Sequence, residues 1–186
     1  MLTWISVLQL LAVGFFAQQV WTRVQPDRVF SWSNPYAIWR ILATGFWFLA
    51  LDDLFQIHEK LDLTFHTIVG WDPKGPTDCL DDLIVAFYGL FGVAMLLRYR
   101  KEMLRYIRAW PYLAMAALCI MGTVFFDLVS VGTMAGWLPH TDDPKRLAVG
   151  LNLLEESFKT YGGIFFVGML ARCYTIALSR KKKTGS

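Results

Sequence analysis

The sequence predicts an all-α integral membrane protein in which residues 1–186 form a single transmembrane domain, a bundle of five helices. Three observations support this prediction. Hydrophobic residues make up 55% of the chain, compared with about 45–50% in soluble domains. Charged residues fall to 18%. The apolar residues also form long runs, and about 20 mainly apolar residues are enough to cross a bilayer.

Five apolar runs are long enough to span a membrane. They lie at 2–22, 35–57, 80–97, 111–131 and 147–178, and the helices that carry them are predicted at 2–22, 35–66, 79–108, 111–131 and 147–178. No basic segment precedes the first run and no small-residue cleavage site follows it. We therefore expect a retained first helix and not a signal peptide. Pro and Gly residues between 66 and 79 mark turns that separate the second helix from the third.

Basic residues predict the orientation of the bundle. Thirteen Lys and Arg residues flank one side of the predicted spans, four flank the other, and Lys159 lies within the last helix. Basic residues are retained on the cytoplasmic side of membrane proteins. The sequence thus predicts an N-terminus outside and a cytoplasmic C-terminus, with localisation in a bacterial inner membrane. The basic residues form membrane-flanking clusters, so nucleic-acid binding is not expected, and the lipid bilayer is the predicted surrounding.

Acidic residues follow the opposite distribution. Only Asp27 and Glu102 fall on the predicted cytoplasmic side, and the other thirteen carboxylates lie at or near the outer side. Asp52 follows Arg40 by about 18 Å along a helix, which is the outer half of a hydrocarbon core about 30 Å thick. The same counting brings acids of four helices to a similar depth. They are Asp52 and Asp53, Asp81 and Asp82, Asp127, and Glu155 and Glu156.

This layer of acids predicts a metal site. A carboxylate within a membrane span is costly and usually faces the bundle interior, a partner or water. Nearby basic residues are too few to neutralise the acids, so bound protons or a cation are needed unless water enters freely. The candidate ligands are Asp52, Asp53, His58, Glu59, Asp82, Asp127, Glu155 and Glu156. The simplest alternative is a solvated acidic rim without a function.

The identity of the metal stays open. Carboxylates alone suit hard cations such as Ca²⁺ and Mn²⁺, whereas a histidine ligand favours Zn, Fe or Cu. Asp52, Gln56 and Glu59 share a helical stripe, while Asp53 points about 100° away. Lys159 lies three and four residues after the two glutamates of the last helix, so an internal ion pair is an equal alternative to a metal-binding role there.

Two stretches resemble a known group of proteins. They are "LDDLFQIHEKL", with Asp52, Asp53, His58 and Glu59, and "LNLLEESFKTYGGIFFVGML", with Glu155 and Glu156. They are similar to uncharacterised bacterial multi-pass membrane proteins that carry an Asp-Asp/His-Glu helix and a terminal Glu-Glu helix. The resemblance implies the fold and the membrane location. It implies no chemistry.

Three functions follow from these observations. The first is a divalent-metal site near the outer leaflet, in a membrane enzyme that activates water or in a metal-handling protein. The second is an accessory structural subunit of a larger membrane complex, with other subunits as partners. The third is proton or cation transport, with the acids as an entry vestibule. The apolar strings "YGLFGVAMLL" and "IFFVGMLA" offer no acidic relay through the cytoplasmic half, which disfavours transport.

Overall fold

The computed structural model describes residues 2–25, 30–69, 80–130 and 144–184, and these residues form helices without strands. The α-helices are α1 (Leu2–Val24), α2 (Ala37–Phe55), α3 (Ile57–Val69), α4 (Leu80–Arg98), α5 (Arg100–Met103), α6 (Trp110–Ser130) and α7 (Pro144–Thr184), and a 3₁₀ segment covers Leu104–Ala109. The all-α prediction is thus confirmed for the described residues.

The helix predicted at 35–66 is interrupted at Gln56. This residue adopts a left-handed conformation, with φ 50° and ψ 49°, and its backbone N–H donates to the carbonyl oxygen of Asp52. Such a residue ends a regular helix, because the following backbone no longer continues the i to i−4 ladder. The chain continues as α3 from Ile57. Side chains before and after Gln56 therefore do not share one helical stripe, which removes the argument that placed Asp52 and Glu59 on one face.

The helix predicted at 79–108 is also shorter in the structure. It ends at Arg98, and α5 and the 3₁₀ segment then lead into α6. Tyr106 has a non-helical φ of −109° inside this connection. The connection packs its own side chains into the core, where Met103 and Tyr106 are buried. It is therefore a folded part of the bundle that leads directly into α6.

The bundle is organised around α1 and α7. Helix α1 packs against both α2 and α7. Helix α6 packs against α7. Helix α4 contacts α2 and α3 much less extensively. Small residues allow the close approaches: Gly14 of α1 faces the Trp47 ring of α2, and Gly122 of α6 faces the Phe158 ring of α7. Close packing of this kind is typical of helices in membranes.

Three of the described helices are long and apolar enough to cross a membrane. They cover Trp4–Val24, Arg100–Phe126 and Val149–Arg180, and a shorter apolar helix covers Ala86–Arg98. Large hydrophobic side chains on them, such as Leu118 and Met121, are exposed at the surface of the bundle. An exposed apolar surface of this kind, on helices of this length, is typical of a membrane protein. In α2, Arg40, Asp52 and Asp53 interrupt an otherwise apolar sequence of 19 residues.

Charge divides the bundle into two ends. We call the end with Arg23, Arg40, Arg98, Arg105 and Arg180 the basic end; α1, α4 and α7 finish there, and α2 and α6 begin there. The opposite end, where α2 finishes with Asp52 and Asp53, is the acidic end. The largest fully buried side chains lie towards the basic end, among them Trp39, Tyr106 and Leu170.

Candidate functional site

Two adjacent carboxylates define the acidic end of α2. Asp52 is buried, with only 4% of its surface exposed. Asp53 is half-buried, and its Oδ2 atom is inaccessible and has no hydrogen-bond partner among the described residues. A buried carboxylate oxygen without a donor carries a desolvation cost of about 1–3 kcal/mol or more. A cation beside the oxygen would offset that cost.

Local structure explains why these aspartates lie at this position. They occupy the last turn of α2, and the left-handed Gln56 turns the chain away immediately afterwards. The break ends the helix within one turn of both carboxylates. They therefore lie at the C-terminal, negative end of the helix dipole of α2. A positive charge near them is still more favourable for this reason.

Contacts between α2 and α4 fix the relative depth of their acids. The rings of Phe48 and Tyr88 meet edge to face, with centroids 5.6 Å apart. Counting along each helix from this pair, position 52 lies about 6 Å and position 82 about 9 Å towards the acidic end. The two positions therefore differ in depth by about 3 Å.

Contacts of α1 relate α2 to α7 in the same way. Gly14 lies against Trp47, and five residues earlier the Nε2 of Gln9 donates to the carbonyl oxygen of Thr160, at 3.1 Å. Position 52 is five residues beyond Trp47 in the same direction, so it lies level with Thr160. Position 156 is then about 6 Å further towards the acidic end.

The pairing of α6 with α7 completes the register. Gly122 faces Phe158, so position 127 lies about 8 Å beyond this contact and position 155 about 5 Å beyond it. Taken together, the helix positions of the predicted acids fall in one layer about 10 Å thick. This register is consistent with a shared site. It describes the depth of each position along its helix and not the direction of its side chain.

The structure describes the side chains of only some of the eight predicted ligands, and these do not form a complete metal site. Within the part of the chain that the structure describes, no group of three or more His, Cys, Asp or Glu residues could hold a metal ion. Asp52 and Asp53 are adjacent, and Glu155 and Glu156 are both half-buried on α7. The side chains of His58, Glu59, Asp82 and Asp127 lie outside the described residues. The ligand set therefore stays a prediction.

The predicted ion pair of Lys159 also stays a prediction, but its setting is clear. The Lys159 side chain is exposed, whereas Glu155 and Glu156 are partly covered. Lys159 therefore lies at the surface of the bundle, about one turn of α7 after two partly covered carboxylates.

Sequence reasoning missed a second polar cluster, at the basic end. Glu102 has only 1% of its surface exposed. Its Oε1 accepts a hydrogen bond from the indole N–H of Trp39 at 3.4 Å, and its Oε2 accepts one from Arg105 at 2.8 Å. Trp39 also packs edge to face on Tyr106, with ring centroids 4.8 Å apart.

Arg180 connects the end of α7 to this cluster. Its guanidinium lies over the Tyr106 ring, 5.1 Å from the centroid, and its Nη2 donates to the carbonyl oxygen of Arg105 at 2.6 Å. We call Trp39, Glu102, Arg105, Tyr106 and Arg180 the Glu102 cluster. It joins α2, the connection before α6, and α7, so its evident role is to hold the basic end together. The sequence did carry a signal: Glu102 is the lone acid in "RYRKEMLRYIR".

Comparison with known proteins gives a family. The family DUF8692, described as a domain of unknown function, matches residues 2–173. The chain belongs to this family. Membership agrees with the expected likeness to uncharacterised proteins, while the bacterial origin and the motif-based part of that resemblance stay predictions.

A human protein shows a more limited similarity to this DUF8692 chain. Heparan-alpha-glucosaminide N-acetyltransferase of Homo sapiens is 30% identical over 138 residues, which cover 73% of the present chain and 18% of the human protein. The chain thus spans less than a fifth of the length of that relative. No solved structure matches the chain.

Proposed function

We propose that this DUF8692 member is a multi-pass membrane protein that binds a divalent cation at its acidic end, with Asp52 and Asp53 as the first ligands. The supporting observation is the buried Oδ2 of Asp53, which has no hydrogen-bond partner among the described residues. A cation beside it would compensate both this oxygen and the buried Asp52. The register of the helices supports Asp82, Asp127, Glu155 and Glu156 as further ligands. His58 and Glu59 lie two and three residues after Gln56.

The proposed topology has five spans, an outer N-terminus and a cytoplasmic C-terminus. Helices α2 and α4 supply the two spans beyond the three that are long and apolar in the described residues. The excess of Lys and Arg at the basic end supports its cytoplasmic placement. The cation site would then open to the outer side of the membrane, where a metal supplied from outside can reach it. Such a metal serves a hydrolytic enzyme or a metal-handling protein equally well.

Metal analysis of protein purified without chelators tests the proposal. We expect near-stoichiometric divalent metal in the wild type. Asp52→Asn and Asp53→Asn keep the side-chain volume but remove a negatively charged ligand. Loss of a group that only supports a metal ligand lowers metal affinity by about 10–100-fold, and we expect these variants to lose at least as much. The readouts are metal content by mass spectrometry and thermal unfolding with and without a chelator.

Ser157→Ala is the matched control for this experiment. Ser157 lies next to Glu156 in α7, and its hydroxyl donates to the carbonyl oxygen of Leu153 at 2.7 Å, so it is already satisfied within its own helix. This variant should keep the wild-type metal content. A wild type without metal, whose melting temperature is indifferent to chelator, would contradict the proposal and favour the role of an accessory subunit.

Acetyl transfer is a second candidate, and only the similarity to the human N-acetyltransferase favours it. The shared region would then be one part of that enzyme, since the match covers 18% of its length. Purified protein in vesicles should transfer the acetyl group from acetyl-coenzyme A to an amino-sugar acceptor. The assay detects acetylated acceptor by mass spectrometry, with vesicles lacking protein as the control. No product at high protein concentration would remove this candidate.

A further inference from the structure

An elongated groove separates α2 from α4. Its volume is about 680 Å³, and its walls include Thr44, Gly45 and Phe48 of α2, Phe87 and Phe91 of α4, and Arg40. This volume is within the range of about 300–1,000 Å³ that is usual for ligand sites. The two helices touch at the Phe48–Tyr88 ring pair and make few other contacts. We call this cavity the Arg40 groove.

Arg40 supplies the positive charge of the groove. Its Nη1 donates to the Oε1 of Gln18 at 2.9 Å, and no carboxylate of the described residues pairs with it. A guanidinium has five N–H donors in a planar fork, so this one contact leaves most of them available. Arginine in that state favours a phosphate or carboxylate, which it binds through two parallel hydrogen bonds.

The length of the groove matches one leaflet of a membrane. From Arg40 to Leu49, the lining of α2 extends for about 14 Å along the helix. This is about half of a hydrocarbon core about 30 Å thick. The charged group lies at the basic end, and the remaining walls are mostly apolar. A ligand that fits this pattern has an anionic head and one long apolar chain.

An aromatic pair borders the groove at the basic end. Phe30 and Trp32 both line the cavity, and their rings meet edge to face with centroids 5.1 Å apart. The Tyr99 hydroxyl donates to the carbonyl oxygen of Trp32 at 2.9 Å, which ties this segment to the residue that follows α4. Aromatic residues are typical of the level of the lipid headgroups, so the pair marks where the head of the ligand would lie.

We propose that the Arg40 groove binds one anionic phospholipid, with an acyl chain between α2 and α4 and its phosphate on Arg40. The charge of Arg40, the apolar walls and the length of one leaflet all select this occupant. This inference does not depend on the proposed cation site, which lies at the other end of α2.

Photocrosslinking tests this inference on the whole protein in lipid nanodiscs. The probe is phosphatidylglycerol with a photoreactive group in its acyl chain, diluted into phosphatidylethanolamine. Crosslinked peptides should concentrate on residues 44–49 and 87–91. Arg40→Gln should reduce labelling by about fivefold, the effect of one basic residue on an anionic lipid. A matching phosphatidylcholine probe should respond much less to this substitution.

A pair of glycine variants keeps the test independent of folding. A Cβ added at Gly45 meets nothing within 4 Å, so Gly45→Leu should fold and place its side chain in the groove. Gly89→Leu on α4 is the matched control, since its Cβ also meets nothing within 4 Å and it does not line the groove. Gly45→Leu should lose the concentrated labelling, and Gly89→Leu should retain it. Labelling spread evenly over all exposed helices, and equal in the two variants, would overturn the inference.

Discussion

Replacing Glu102 with alanine should lower the free energy of unfolding by about 3 kcal/mol. The variant removes the acceptor of the Trp39 indole N–H and the partner of Arg105 at a site that is only 1% exposed. Removing one member of a buried ion pair costs about 3–5 kcal/mol. The Arg105 side chain is 51% exposed and can be rehydrated, which places the expected loss at the lower end of that range.

Thermal unfolding in detergent measures this effect. A loss of about 3 kcal/mol corresponds to a decrease of about 6–12 °C in the melting temperature for a chain of this size. Glu102→Gln should show a smaller decrease, because its amide oxygen still accepts from Trp39. The control is Lys101→Ala, whose side chain is exposed next to Glu102. Equal melting temperatures for Glu102→Ala and wild type would show that the Glu102 cluster does not hold the basic end together.

Gly14→Val should destabilise the protein by about 1–3 kcal/mol through overpacking. A Cβ at position 14 would overlap the Trp47 ring and approach the carbonyl oxygen of Ala43 at 3.2 Å. The backbone of α2 cannot move away without disturbing the whole interface with α1. The valine side chain adds two further methyl groups to the overlap. We therefore expect this substitution to separate the two helices locally and to lower the melting temperature.

Gly89→Val is the control for Gly14→Val. A Cβ at Gly89 meets nothing within 4 Å, so this variant changes the helix in the same way without the collision. Melting temperature and retention of a monodisperse peak in gel filtration are the two measurements. If both valine variants melt alike, the contact of Gly14 with Trp47 does not determine the packing of α1 on α2.

Much of the fold could be predicted from the sequence, because hydropathy is a property of local segments. The apolar runs at 2–22, 111–131 and 147–178 correspond to α1, α6 and α7. The break at Gln56 was not predictable in this way. Glutamine has no strong preference for the left-handed conformation, so the turn depends on the packing around it and not on the residue itself.

The candidate site was predictable only as a charge pattern. The sequence placed acids at one end of four helices, and the contacts at Trp47, Tyr88, Phe158 and Thr160 are consistent with that layer. Which carboxylate is buried could not be derived in the same way. Adjacent residues such as Asp52 and Asp53 differ by about 100° around a helix, so their exposure depends on how α2 is rotated against its neighbours.

The sequence by itself predicted a helical chain with apolar segments long enough to cross a membrane, and charges that separate into an acidic and a basic end. These properties follow from the solvent preference of each segment, which does not require knowledge of the neighbours. Only the tertiary structure decided that Glu102 is buried between Trp39 and Arg105 and that a groove opens beside Arg40. Both features arise between elements distant in the chain, where the rotation and spacing of helices set which side chains meet.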